Sequence, residues 1–534
     1  MAAAHPLYDA GVWRSLRRVG HPRACAAALA AVFGIALGAS GPVSARAASS
    51  DAPEALPEAD SDEPESLDEV HRRLTEREDE ERPEDHLILD VLGRPLIISG
   101  QYEAGLFANQ EPELDDDDEE RPEDAGQAGL ELEPRLNLGQ ELELEAFYAV
   151  APWLSAFAQA RLEYTQDLYR GESGRDGSAR LERGEMWIHA ENVADSHLGF
   201  DVGRLNFEDD RRWWWDDERD AVRVSYEEGP VEAAASLARE LFRFSTEPDG
   251  IDPDDDGVLR LIGEASWQYV PFHQLDLFAL RQWDQSSRQR RGHRVGRGDE
   301  DDSDASLTWL GLRLAGEFAW RLGSLGYWVD AAGVGGHERV VEYAEGPGRA
   351  SVVEDTLRRS VRGWAFDGGV TWVFDALAGM RITLGYAIGS GDSDPFQGTD
   401  RSFRQTGLDG NQARLGGVEG FQYYGELLDP ELSNLQIATV GWGLSLFESS
   451  SLDVVYHDYH QVERAPFLLD AGIGDELAGV HRSVGQELDL ILAIEEWDRI
   501  ALELRAAAFR KGAAFGSDRS QMEYGGFVLF RYAF

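Results

Sequence analysis

Lysine is almost missing from this chain: Lys511 is the only one, and every other fixed positive side chain is arginine. Cysteine is as scarce, with Cys25 alone. It falls in an amino-terminal stretch that reads as removable, so the mature chain can hold neither a disulfide nor a cysteine metal site. Beyond that stretch there is no apolar run approaching the roughly 20 residues of a membrane-spanning helix. Positive charge is in the minority, with 50 Lys and Arg against 100 Asp and Glu and a formal net charge of -50. That sign argues against a general nucleic-acid binder, because it repels phosphate, although a local basic path is still allowed. Arginine remains the better choice for fixed contacts to carboxylates, since it offers a planar fork of donors.

What is present is a chain of 534 residues, 42% hydrophobic, with 57 glycines and 10% aromatics. Arg14, Arg17, Arg18 and Arg23 precede the small apolar run Ala24 to Ala39, and Ala45 and Ala47 follow with Ala-x-Ala spacing. This predicts a secretory signal over 1–47. A single membrane anchor is the rival reading, and the apolar run is short for it. Residues 48–90 are acidic and proline-containing, with too few apolar side chains for a core, and are expected to be a disordered leader.

From 91 to 534 the texture is a period of two. In QELELEAFYAV, Leu142, Leu144, Ala146 and Tyr148 share one face while Glu141, Glu143 and Glu145 share the other. In RIALELRAAAFR, Leu502, Leu504, Ala506 and Ala508 oppose Glu503 and Arg505. Such alternation means strand rather than helix. About twenty stretches of this kind recur, among them 128–137, 140–150 and 414–424, with short turns expected near Gly139 and Gly323 and long polar loops elsewhere. The chain ends GGFVLFRYAF, with Val528, Phe530, Tyr532 and Phe534 on one face. A terminal phenylalanine on an alternating strand resembles the insertion signal of outer-membrane barrels. Only helices and closed barrels cross a bilayer. The fold expected is therefore all-β, a transmembrane antiparallel outer-membrane β-barrel in a Gram-negative outer membrane. Lipid and lipopolysaccharide would be its surroundings. About eighteen strands are expected, with sixteen and twenty left open.

In such a barrel the alternate face meets the lumen, and here it is charged. Arg161, Asp201, Arg313, Glu487, Asp489, Glu503 and Arg505 are lumen candidates. Lumen charges can simply pair and hydrate, or arginines can form weak successive sites for a polyanion. In DVGRLNFEDDRRWWWDDERDAVRV, Trp213, Trp214 and Trp215 cannot all face lipid from one strand, so some belong to a constriction or loop. Asp252, Asp254, Asp255 and Asp256 are candidates for a structural calcium, although an EF-hand would need its full loop pattern and flanking helices. His457 and His460 fall on opposite strand faces and no nucleophile–base set appears, so neither an enzyme nor a cofactor is expected.

The stretch GYAIGSGDSDPFQGTDRSFRQTGLDGNQARLGGVEGFQYYGELLDPELSNLQIATVGWG resembles the central signature of the bacterial alginate export porins. DDRRWWWDDERDAVRV is similar to an earlier segment of that family. The resemblance implies an 18-stranded monomeric barrel with an arginine-rich conduit, gated by an outer loop and a periplasmic plug loop. It implies passive export of alginate or another polyuronate, with a periplasmic scaffold lipoprotein as partner. By motif match it places Arg401, Arg404 and Arg414 in or beside the pore, and adds Arg204 and Arg219 to the conduit. Asp392 and Asp394 would pair with arginines or bind a cation, and Glu426 would be a further internal partner. The acidic leader, the single lysine and the negative net charge depart from that pattern. The alternative is a substrate-specific uptake porin for small anionic solutes or oligosaccharides.

Overall fold

The computed structural model describes residues 67–75, 87–112, 132–170 and, apart from short pieces of loop, 177–534. The expected signal at 1–47 and most of the expected leader lie outside the described residues. We number the wall strands along the chain. The first six are β1 Arg94–Pro112, β2 Leu132–Ala151, β3 Leu154–Arg170, β4 Gly177–Ala190, β5 Leu198–Glu208 and β6 Asp216–Glu228. Next come β7 Val231–Ala238, β8 Leu259–Val270, β9 His273–Trp283, β10 Ser303–Trp320, β11 Gly323–Glu345 and β12 Ala350–Phe374. The wall is completed by β13 Met380–Gly389, β14 Leu435–Leu446, β15 Ser450–Gln461, β16 Ser483–Trp497, β17 Ile500–Lys511 and β18 Met522–Ala533.

Each wall strand pairs antiparallel with its neighbours, and β18 pairs with β1 from Gln101↔Ala533 to Ala108↔Gly526. That pairing closes an 18-strand barrel and removes both sheet edges. Beyond the ladder, the Phe534 backbone exchanges hydrogen bonds of 3.0 and 2.9 Å with Gly100. The alternation resolves as expected: Leu144 is 47% exposed on the outer wall, between Glu143 at 5% and Glu145 at 3% inside. Short turns lie at one end, where Trp153, Phe272, Trp320 and Trp497 stand exposed as an aromatic girdle. Long connections lie at the other, which identifies the outer face.

Two of the stretches read as strands do not become separate ones. Residues 128–137 and 140–150 belong largely to one strand, β2, because Gly139 is no turn. It sits mid-strand opposite Gly105 and Thr165, and the strand alternation continues past it, with Leu138, Gln140 and Leu142 on one face. Residues 414–424 leave the wall altogether, as part of the 390–434 connection between β13 and β14. The expected turn at Gly323 is present.

The leader expected to be disordered includes a helix at Leu67–Thr75 and a strand at Leu87–Val91 paired with β1. Val70 and Leu74 are one helical turn apart and pack against the barrel core. His71 is buried 5.1 Å from the inward Phe147 ring, and Arg73 Nη2 meets Glu191 Oε2 at 2.8 Å. This short apolar stripe is covered by the barrel wall and not by its own segment, which local composition does not reveal. The periplasmic plug loop implied by the resemblance has no counterpart among the described turns. The longest connection at that end is 191–197, and the helix is seated there instead.

Candidate conduit and its inner constriction

Two outer connections fold back into the lumen. The first is the 209–215 turn between β5 and β6. Asp209 Oδ1 accepts from the backbone N–H of Trp214 at 2.7 Å and of Trp215 at 2.8 Å, while its Oδ2 meets Arg313 Nη1 at 2.6 Å. This bends the turn so that Trp213, Trp214 and Trp215 are all buried inside the barrel. Trp214 stacks on Phe278 at 4.8 Å. It also lies so close to Gly311 that a Cβ there would meet its ring at 2.2 Å, so β10 needs glycine at that position.

The second is the 390–434 connection, which carries the buried Phe403, Phe421, Tyr423, Tyr424 and Leu428. One hydroxyl ties it to both the turn and the wall. Tyr424 OH accepts from Trp213 Nε1 at 2.9 Å and donates to Asp367 Oδ2 at 2.9 Å. Burial first and Asp367 second push this phenol well above its ordinary range, which keeps it a neutral donor. Asp367 also accepts from Arg211 at 3.0 Å and from the Trp328 indole at 3.0 Å. The Arg211 guanidinium is held between the Trp328 and Tyr423 rings, 4.5 and 4.3 Å from their centroids. Nearer the rim, Arg404 forks onto Glu338 at 2.6 and 3.0 Å and reaches Asp400 at 2.7 Å. Burial alone would lower the Arg404 pKa, but Glu338 and Asp400 more than reverse this. On β17 Arg505 Nη1 meets Glu426 Oε1 at 2.8 Å and Nη2 donates to Gly420 O at 2.6 Å. Tyr459 OH donates to Tyr424 O at 2.7 Å. The connection is thus bonded to the wall on several sides, and it narrows the lumen.

Along β2 to β8 the inner wall carries a run of alternating charge. Arg161 lies between Glu143 and Glu218, 3.3 Å from the former. Arg204 lies between Glu218 at 3.1 Å and Glu240 at 2.9 Å. Arg219 continues from Glu240 at 3.5 Å to Asp255 at 2.9 Å, and Arg260 meets the other Asp255 oxygen at 2.9 Å. The side chains of Arg161 and Arg204 keep 21% and 15% exposure. Arg161, Arg204 and Arg219 are each shared between carboxylates, and Arg260 joins the run through the Asp255 that Arg219 also holds.

The residues singled out in the sequence therefore separate into four places. Arg161, Arg204 and Arg219 come together in this run. Arg404, Arg505 and Glu426 hold the infolded connection. Arg401 is 73% exposed outside the lumen, with Asp392 at 3.7 Å. Asp394 and Arg414 are exposed, while Asp201 turns to His189 Nδ1 at 2.6 Å near the periplasmic end. Asp255 is engaged by arginines, and Asp252 and Asp254 lie outside the described residues. Among the described residues no group of three or more His, Cys, Asp or Glu side chains is arranged to hold a metal. Glu218, Glu240, Glu338 and Asp367 were missed by sequence reasoning. Glutamates and aspartates are too numerous here for one to stand out before its partner is known.

A closed barrel with an apolar outer wall, an aromatic girdle and a charged lumen defines an outer-membrane β-barrel porin. The alginate export family model matches residues 121–526, and the chain belongs to that family. The alginate production protein AlgE of Pseudomonas aeruginosa is 26% identical over 386 residues, covering 68% of this chain and 77% of that one. AlgE of Pseudomonas syringae pv. tomato is 22% identical over 344 residues, covering 59% and 67%. Among solved structures, Pseudomonas aeruginosa OccK5 (OpdH) aligns with a TM-score of 0.48 at 9% identity, over 82% of this chain and 97% of that one. Pseudomonas aeruginosa OpdK with vanillate aligns with a TM-score of 0.48 at 11% identity, over 82% and 98%.

Proposed function

We propose that this barrel exports alginate or a closely similar polyuronate, and that the polymer advances by exchanging its carboxylates with those of the wall. The observation that carries this reading is the shared run Glu143–Arg161–Glu218–Arg204–Glu240–Arg219–Asp255–Arg260. An arginine already poised between two carboxylates can turn part of its donor fork to a uronate while one resident carboxylate still holds it, and the displaced carboxylate, which stays on the wall, repels the bound sugar and favours its exit. Attraction is then strong enough to admit the chain and weak enough to let it leave. The -50 net charge opposes approach at long range. Salt screens that repulsion beyond about 8–10 Å and leaves the short contacts effective. The polymer undergoes no covalent step in this reading. The barrel works as a monomer, fed from a scaffold lipoprotein at its periplasmic end.

The test is ion selectivity in a planar bilayer, followed by titration with polymannuronate. The protein is recorded as wild type and as Tyr424→Phe, the substitution expected to loosen the infolded connection. Anion-selective current that polymannuronate blocks and a neutral glucan does not is the expected result, with block weakened by Arg161→Gln and Arg204→Gln. Cation selectivity without polymer block overturns the reading and favours an uptake porin for small solutes.

A further inference from the structure

The outward face of the same wall carries charge that the lumen does not use. Strands β10, β11 and β12 are 18, 23 and 25 residues long. About 9–11 residues suffice to cross a bilayer, so their upper parts stand at and above the outer lipid headgroups. On β12 the lipid-facing positions run Phe366 and then Trp364, 37% and 52% exposed. The next outward positions are Arg362, Ser360 and Arg358, all exposed. Trp364 marks the end of the apolar band, and the arginines begin one outward position above it.

Register extends this to neighbouring strands. Arg362 stands level with Gly335 on β11, Thr308 on β10 and Arg281 on β9. Arg281 Nη1 bonds Thr308 Oγ1 at 3.0 Å, which holds it on this face. On the other side residues 399–400 run parallel to β12 through Ser360↔Thr399 and Val361↔Asp400. Their continuation sets Arg401 beside Arg362. Higher up, Arg358 lies directly opposite Arg339, whose Nη1 meets Asp304 at 2.8 Å. Like charges facing across strands are unfavourable by themselves. Among the described residues Asp304 and Asp392 form ion pairs with this group. Between the arginines, Gly335 leaves a gap in which an added Cβ would meet nothing closer than 3.8 Å.

We propose that Arg358, Arg362 and Arg401 form a binding site on the outer wall for the phosphates of an outer-leaflet glycolipid. The position selects the occupant: a row of cations immediately above an apolar, aromatic-edged band meets the headgroup of a lipid whose chains lie along that band. Guanidinium forks suit phosphate oxygens, which take two parallel donors from one arginine. In a chain of net charge -50, a concentrated outward positive row is also where an anionic lipid is drawn and the rest of the surface repels it. This assignment concerns the outside of the barrel and stands whether or not alginate passes through the lumen.

The experiment uses the full barrel in detergent micelles and native mass spectrometry. The probes are lipid A carrying both phosphates and the same lipid A after phosphatase treatment. The expected result is retention of the phosphorylated form, with binding of the dephosphorylated form weaker by roughly tenfold or more. The variant Arg358→Gln, Arg362→Gln, Arg401→Gln should lose that preference while keeping the wild-type melting temperature without lipid. If the triple variant does not fold, Arg362→Gln alone is read in its place. Equal binding of both lipids by the wild type, or undiminished preference in the variant, overturns the assignment. So does displacement of lipid A by oligomannuronate, which would assign the row to an emerging sugar polymer.

Discussion

Replacing Tyr424 by phenylalanine tests whether the infolded connection is held by the contacts described. The ring stays and its packing is kept, but one oxygen is lost. That oxygen accepts from the buried Trp213 indole at 2.9 Å and donates to the Asp367 carboxylate at 2.9 Å. A hydrogen bond to a charged group contributes about 1.5–3 kcal/mol, and stranding a buried donor costs about 1–3 kcal/mol. The two effects share one atom and overlap, so we expect a loss of about 2–4 kcal/mol in seating the connection. At about 1.4 kcal/mol per factor of ten, the ratio of released to seated forms rises roughly 30- to 700-fold. Amide exchange over residues 403–432 reads this directly, and open probability in a bilayer reads its effect on the lumen. The outer wall, β1 to β18, should exchange as in the wild type. Exchange in 403–432 that is unchanged, within about twofold of wild type, would refute the idea that this hydroxyl latches the constriction.

Glu431 gives the constriction a pH dependence. Burial, with Asp409 and Asp470 beside it, raises its carboxyl well above the ordinary range. The seated form therefore favours the proton, and seating weakens as pH rises past the usual carboxylate value. Glu431→Gln should flatten the rise of open probability with pH; a slope like that of wild type would count against it. Glu191 acts in the reverse sense on the amino-terminal helix. His189 and then Arg73 hold its carboxyl down to about 2 from an ordinary 4.5, so its contribution is full above 4.5 and is lost as pH falls towards 2. A nitroxide at Arg72→Cys, in a mature chain expected to lack other cysteines, should gain mobility across that window, and in Glu191→Gln at every pH. Mobility that stays constant would exclude the Glu191 anchor. Deleting Phe534 removes the paired hydrogen bonds to Gly100 at the barrel seam. We expect less heat-modifiable folded barrel on electrophoresis, and a wild-type yield would show that the seam does not need this residue.

Much of this architecture follows from the order of the side chains. Alternation is local: Glu141, Glu143 and Glu145 face inward because a pleated strand turns every second side chain to one side. The same parity predicted lumen positions for Arg161 and Arg505, and the crowding of Trp213 to Trp215 argued for a turn or constriction. Gly139 was misread because a glycine in a strand and a glycine in a turn look alike until its cross-strand partners are known. The leader helix was missed because Val70, His71 and Leu74 gain their burial from Phe147 and its neighbours on the wall, not from their own segment.

The ion pairs needed the tertiary structure. Arg211 finds Asp367 across 156 residues of sequence, and Arg404 finds Glu338 across 66. Arg401 and Arg404 are three residues apart in one connection. Arg404 is latched inside the rim, while Arg401 stands 73% exposed outside it. Strand parity does not reach into a loop, so nothing local distinguishes the two. The alternating pattern was sufficient to specify a wall with a charged interior, because each strand obeys the same short-range geometry. Which arginine joins the inner run, which ties down the connection and which stands outside the rim was decided only when the 390–434 connection folded back against β11, β12, β15 and β17, where long-range contacts outweigh any preference of the segment itself.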